Sequence, residues 1–180
     1  HMVPSFHDDL VRGVATYWIE LFEATAATQA PDVVFVPIGL GSGICAAVAA
    51  RAATGVHSRI VGVVSAHATA YQQSFRAGRP IEAPVTTALA DGMACRVPDP
   101  DALAVIRREV DDVIAVTDDE VAAAMRVLFA DTHNVAEGAG AAALAGAMQQ
   151  RERWAGKTVG VTISGGNVDS DVYARVLSGA

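Results

Sequence analysis

Two glycine-rich turns, at residues 39–43 and 164–167, each follow a short run of β-branched and apolar residues. The first turn leads into an alanine-rich segment, which gives the order strand, loop, helix. In that order the main-chain amides of the loop and of the first helical turn converge and favour an anion, so a phosphate group is the expected ligand. Because ligands of open parallel sheets bind at the carboxyl ends of the strands, we predict one site formed by both turns.

The alternation of apolar runs with helical patterns predicts the fold class. Short apolar runs of this kind are typical of strands that are buried on both faces of a parallel sheet. We therefore expect an α/β fold with a largely parallel open sheet and helices on both faces. No repeat or linker divides the sequence, so residues 3–180 are predicted to form a single domain. The predicted strands cover residues 33–37, 59–65, 112–116 and 157–163, and the predicted helices cover residues 10–24, 44–53, 101–108, 121–130 and 138–150, with a last helix from about residue 169.

The composition excludes several classes of partner. The net charge is −7, with 13 basic and 20 acidic residues, and the arginines are scattered. This distribution argues against nucleic acid and against an anionic membrane surface as partners. The longest apolar stretches, residues 44–50 and 139–148, are much shorter than the roughly 20 residues of a membrane helix. With no signal peptide, a cytoplasmic location is expected.

Neither the cysteines nor the histidines follow the spacing of a metal site. Cys45 and Cys95 are far apart and lack a second cysteine at ligand spacing, so we predict two buried free thiols. Four histidines fall on predicted loops or helix ends without partners at ligand spacing, and we expect them to face solvent. They are His7, His57, His67 and His133.

The first turn fits a nucleotide poorly. A dinucleotide fingerprint needs a third glycine where this chain has Ile44, and an acidic residue at the end of the next strand, where it has Val64 and Ser65. The Gly-Lys-Ser/Thr of a nucleoside-triphosphate loop is absent as well. A Rossmann-like nucleotide-binding domain therefore stays only as an alternative.

Six motifs, taken together and in this order, resemble the threonine dehydratase and serine racemase family. These are pyridoxal-phosphate enzymes of the tryptophan-synthase-β fold type, and the resemblance extends from about residue 6 to residue 176. The motifs are Gly13-x-x-Thr16-x-x-x-Glu20, residues 37–43, Ala90-Asp91-Gly92, Val110-Asp111-Asp112, residues 137–141 and residues 164–169.

The resemblance implies a set of cofactor-binding residues. It assigns the cofactor phosphate to the first turn, the pyridine nitrogen to the serine of the second turn, and the edge of the ring to a glutamate and to the rest of the second turn. A neutral serine hydroxyl stabilises a protonated pyridine less than a carboxylate would, which suits β-elimination. The residues are Gly39, Leu40, Gly41, Ser42, Gly43, Glu137, Ser164, Gly165 and Asn167.

The resemblance also indicates what this chain lacks. The family's Schiff-base lysine lies before the matching region, and the chain's one lysine, Lys157, precedes the last predicted strand, at the end opposite the glycine turns. No catalytic residue is therefore predicted in this chain, and pyridoxal 5'-phosphate is expected to bind weakly or not at all. Some relatives hold a divalent cation through a glutamate at the position of Val64, so no metal is predicted.

We interpret the chain as the C-terminal portion of a pyridoxal-phosphate-dependent L-threonine or L-serine dehydratase. Its reaction would remove water from a small amino-acid substrate by β-elimination and then release ammonia and a 2-oxo acid. A natural, non-catalytic degenerate or split module is the alternative. Since a partial fold leaves apolar surface uncovered, we also expect a homo-oligomer.

Overall fold

The computed structural model describes residue 4, residues 6–26 and residues 28–179. Along these residues one or more helices separate each strand from the next, as the apolar runs predict. The elements are α1 Asp8–Ala26, β1 Val33–Pro37, α2 Ser42–Thr54, β2 Arg59–Ser65, α3 Ala70–Ala77, α4 Pro100–Glu109, β3 Asp112–Val116, α5 Asp118–Thr132, α6 Gly138–Gln149, β4 Val159–Val161 and α7 Ser170–Ser178, with a short 3-10 helix at Asp91–Met93.

The four strands form one parallel sheet in the order β3-β2-β1-β4. The predicted α/β class with a parallel sheet is therefore confirmed. The last strand is shorter than predicted, since β4 pairs with β1 over residues 159–161 only.

The sheet is covered on both faces, as its apolar strands require. Val34 and Val36 of β1 face a core layer that includes α1, α2 and α4. The alternate residues of the same strand, Val33 and Phe35, face a second layer built on α5, α6 and α7. The two-residue period of a strand sends neighbouring side chains to opposite faces, so both sets must be apolar.

Helix caps fix where two of the helices begin. At α5, Thr117 and Glu120 form a reciprocal capping box, as the sequence predicts. At α4, the side chain of Asp99 accepts hydrogen bonds from the amides of Asp101 and Ala102. This cap fixes the entry to α4, which lies below the first glycine turn.

One of the two thiols differs from the prediction. Cys45 is buried as predicted, whereas Cys95 is only partly buried. Cys95 lies in the connection after the 3-10 helix, where solvent reaches the chain, and its thiol donates to the carbonyl of Val97. The four histidines beyond residue 1 are exposed. Within the described parts of the chain, every helix is too short or too polar to cross a bilayer.

Candidate functional site

The first glycine turn and Ser164, the first residue of the second turn, line one cavity of ≈ 480 Å³ beyond the carboxyl ends of the strands. The first turn follows β1, and the second follows β4, which pairs with β1. The start of α6 closes a third side. The structure therefore brings the two predicted turns together. The cavity is lined by Val14, Tyr17, Val36, Pro37, Gly39, Leu40, Gly41, Ser42, Gly43, Gly92, Met93, Glu137, Ala139 and Ser164.

The first turn presents main-chain donors to this cavity. Among the described residues, the amides of residues 39–41 donate to no acceptor. The next amides belong to the first turn of α2, which begins at Ser42, and helix geometry leaves such amides without a partner inside the helix. A loop of free amides at the N-terminus of a 13-residue helix is suited to bind an anion.

Glycine is required at two positions of this turn. Gly41 has φ 113, in the left-handed region, and a Cβ there would lie 2.6 Å from the Cβ of Ala102. A Cβ at Gly39 would collide with the carbonyl oxygen of Gly92. Leu40 and Ser42 depart from an all-glycine loop, and both have negative φ. Among the described non-glycine residues, only His133 has positive φ. The turn therefore accepts both side chains without backbone strain.

Glu137 ties the second turn to the start of α6. Its amide donates to the carbonyl of Gly165 (3.1 Å), and its Oε2 accepts from the amide of Asn167 (3.0 Å). A Cβ at Gly140 would collide with the carbonyl oxygen of Gly165, so a small residue is needed there for α6 to approach the turn. These contacts hold Ser164 at the cavity, whereas the predicted site residues Gly165 and Asn167 are not among the lining residues.

Several lining residues were not predicted as site residues. Val14 and Tyr17 come from α1, where their helical spacing is equally typical of core residues. Burial raises the pKa of Tyr17, so its hydroxyl stays neutral and remains a donor. Gly92 and Met93 come from the 3-10 helix, which the sequence marks only through the motif that contains Gly92.

Lys157 lies at the opposite end of the sheet from the cavity, as predicted. It precedes β4, and its Nζ lies 3.9 Å from Oδ1 of Asp32, the residue before β1. Both residues are therefore at the amino ends of the strands. Val64, at the carboxyl end of β2, is 1% exposed. Over the described residues, acidic, histidine and cysteine side chains form no group of three that could hold a metal ion.

The chain belongs to the family of pyridoxal-phosphate dependent enzymes, whose family model matches residues 1–165. It is 39% identical over 179 residues to the L-threonine ammonia-lyase of Geobacter sulfurreducens, covering 97% of this chain and 43% of that protein. It is 32% identical to the L-threo-3-hydroxyaspartate ammonia-lyase of Saccharomyces cerevisiae, covering 99% of this chain and 54% of that protein. The chain thus spans about half the length of the curated relatives it matches.

Solved structures show the same fold. Maize serine racemase aligns with a TM-score of 0.83 at 29% identity, over 100% of this chain and 56% of that one. The T.th. threonine deaminase aligns with a TM-score of 0.82 at 28% identity, over 88% of this chain and 58% of that one. The expected fold type, a parallel sheet of a pyridoxal-phosphate enzyme, is confirmed.

The cavity suits the cofactor of this family. A Cβ at Gly43 would have only two lining residues near it, Pro37 and Tyr17, each at 3.9 Å, so the glycine leaves this part of the wall to the main chain. The free amides of the turn match a phosphate group, and the hydroxyl of Ser164 and the carboxylate of Glu137 provide polar groups elsewhere on the wall. This combination of donors and acceptors fits a phosphorylated ring.

Proposed function

We propose that this chain forms the cofactor-binding part of a pyridoxal-phosphate-dependent ammonia-lyase that acts on β-hydroxy amino acids. The observation that carries the proposal is the meeting of residues 39–43 with Glu137 and Ser164 in one cavity. The family membership and the ammonia-lyase relatives support it. In this proposal residues 3–180 act as one domain.

The turn at residues 39–43 would bind the cofactor phosphate through main-chain amides. A phosphate monoester is largely dianionic near neutral pH. Such a charge is favoured where free amides and the positive end of a helix dipole point at it. Ser42 lines the same cavity, and its hydroxyl would add a further donor. Selectivity for the phosphorylated form of the vitamin would come from this turn.

The ring end of the cofactor would be placed by Ser164 and Glu137. When bound, pyridoxal phosphate supplies the electron sink that allows bonds next to an amino group to break. A neutral hydroxyl at Ser164 would leave the ring nitrogen less protonated than a carboxylate would, which moderates that sink. Glu137 holds the second turn through Asn167 (3.0 Å), so it would keep Ser164 in position.

The substrate class rests on the relatives. The similar proteins are named as acting on threonine and on threo-3-hydroxyaspartate, both of which carry a hydroxyl on the β carbon. Racemisation of serine is the second candidate, since maize serine racemase has the same fold. The cavity wall built from this chain contains no lysine, so we propose that the chain alone is inactive.

The cofactor assignment is tested by titrating the 180-residue chain with pyridoxal phosphate while recording amide resonances by NMR. The expected result is a shift of the resonances of residues 39–44 and 164–167. Pyridoxal without phosphate and NAD are the comparison ligands. A response to NAD but not to pyridoxal phosphate would overturn the proposal in favour of a nucleotide-binding domain.

A pair of glycine variants separates the turn from general strain. Gly41→Ala places a Cβ at positive φ and 2.6 Å from Ala102 Cβ, whereas Gly55→Ala also has positive φ (71) but meets nothing within 4 Å. We expect Gly41→Ala to abolish the titration response and Gly55→Ala to retain it. Equal responses from the two variants would contradict the role of the turn.

A homo-oligomer is proposed as well. Large apolar side chains are partly exposed, among them Val159 at 37% and Ile163 at 41%, in and just after the edge strand β4. Covering such residues usually stabilises an assembly. Sedimentation at high protein concentration tests this, and a compact monomer would contradict it.

A further inference from the structure

Tyr71 lies directly beneath the first glycine turn. It is the second residue of α3, and its side chain is 1% exposed. Its hydroxyl donates to the carbonyl oxygen of Leu40 and accepts a hydrogen bond from the amide of Asp99 (3.0 Å). A carbonyl can only accept and an amide can only donate, so the hydroxyl proton must point at Leu40.

This hydrogen bond sets the direction of a peptide group in the turn. The carbonyl of Leu40 and the amide of Gly41 belong to one trans peptide plane, in which the C=O and the N–H point in opposite directions. Holding the carbonyl on the Tyr71 side therefore turns the Gly41 amide away from Tyr71. Leu40 and Gly41 line the cavity, whereas Tyr71 does not.

The same hydroxyl joins three segments. A Cβ at Gly41 would lie 3.2 Å from Tyr71 Oη, so the turn packs onto the phenol. On the other side, Asp99 caps α4 through its own side chain. The turn before α2, the start of α3 and the start of α4 are thus connected through one buried hydroxyl group. Burial also raises the pKa of Tyr71, so the proton needed for this arrangement is retained.

We propose that Tyr71 is the positioning residue that holds the turn at residues 39–43 in the conformation that binds phosphate. The proposal rests on the proposed cofactor-binding function. Tyr71 acts through the carbonyl of Leu40 and touches no ligand itself. Without its hydroxyl, the Leu40 peptide would be free to rotate, and the amide of Gly41 would have to be reordered when phosphate binds.

The test compares Tyr71→Phe with wild type for pyridoxal phosphate and for pyridoxal, both measured by NMR titration of the 180-residue chain. The substitution removes one oxygen and keeps the ring. We expect the Kd for pyridoxal phosphate to rise about tenfold, as loss of one buried hydrogen bond would give, and the Kd for pyridoxal to stay unchanged. A general loss of stability would raise both values together.

Tyr173→Phe is the matched control. Tyr173 is also a buried tyrosine, but its hydroxyl has no hydrogen-bond partner among the described residues, and it lies on α7. This variant should bind both ligands as wild type does. If wild type binds pyridoxal phosphate and Tyr71→Phe binds it equally well, the positioning role is wrong while the cofactor assignment stands. If wild type gives no response even at millimolar pyridoxal phosphate, where the weak binding expected without the lysine would be detected, the proposed function itself fails.

A second measurement needs no substitution. If Tyr71 connects the turn to Asp99, inorganic phosphate should slow hydrogen exchange of the Asp99 amide in wild type by at least about threefold, because the two sites share one hydroxyl. Slowed exchange at residues 39–44 with no change at Asp99 would overturn the proposal, even if Tyr71→Phe failed to fold.

Discussion

Replacing Gly43 by alanine should change stability and phosphate affinity in opposite directions. Gly43 is the second residue of α2, with ordinary helical backbone. A Cβ added there has room, since its nearest neighbours are the carbonyl oxygen of Pro37 and Tyr17 Oη, both at 3.9 Å. Alanine is favoured over glycine in a helix by about 0.5–1 kcal/mol. The variant should therefore fold and unfold at a temperature about 1–4 °C higher.

The same methyl group takes space from the ligand. Pro37, Tyr17 and Gly43 all line the cavity, so the added Cβ projects between lining residues. Forcing an extra methyl into an occupied site costs about 1–3 kcal/mol, which corresponds to an increase of roughly 5- to 150-fold in the Kd for pyridoxal phosphate. Thermal unfolding by circular dichroism and NMR titration measure the two effects on the same sample.

Gly13→Ala is the matched control for this prediction. Gly13 lies within α1, outside the cavity lining, and a Cβ there meets nothing within 4 Å. It should gain the same helical stability and leave the Kd unchanged. If Gly43→Ala were stabilised yet bound pyridoxal phosphate as tightly as wild type, the phosphate would not lie at this helix N-terminus. The assignment of the phosphate to the turn at residues 39–43 would then be refuted.

Two further predictions concern the segments below the turn. Asp99→Ala should lower the free energy of unfolding by about 1 kcal/mol through loss of the α4 cap. Asp99→Asn, which keeps a capping side chain, should melt near the wild-type temperature. Equal melting temperatures for the two variants would contradict the capping role. Burial, with the Asp99 charge, raises the pKa of Cys45 to about 12. Because the unfolded thiol ionises near pH 9, the free energy of unfolding should be unchanged below pH 9 and should fall above it, by about 1 kcal/mol at pH 10. Urea unfolding of Cys45→Ala should show a smaller loss over the same pH range. A loss of the same size in this variant would contradict the raised pKa of Cys45.

The sequence alone determined the fold class and the positions of most elements. Apolar runs such as residues 33–37 and 59–65 specify strands buried on both faces, because only a covered parallel sheet places both alternating sets of side chains in a core. Local chemistry also fixed the start of α5, since Thr117 and Glu120 are close enough along the chain to cap one another. The glycines at residues 39–43 likewise marked a tight turn before a helix, for which we predict an anion site.

The sequence also predicted that the two turns and Glu137 share one site, but only the tertiary structure decided which other residues line it. Tyr17 has the helical spacing of a core residue, and its position at the cavity follows from how α1 packs beside the turn. Tyr71 and Leu40 are 31 residues apart, and Glu137 and Asn167 are 30 apart. Contacts of this kind depend on the order of the strands and on the approach of the helices, which no local pattern encodes. For the same reason the sequence identified the turn but not the hydroxyl beneath it.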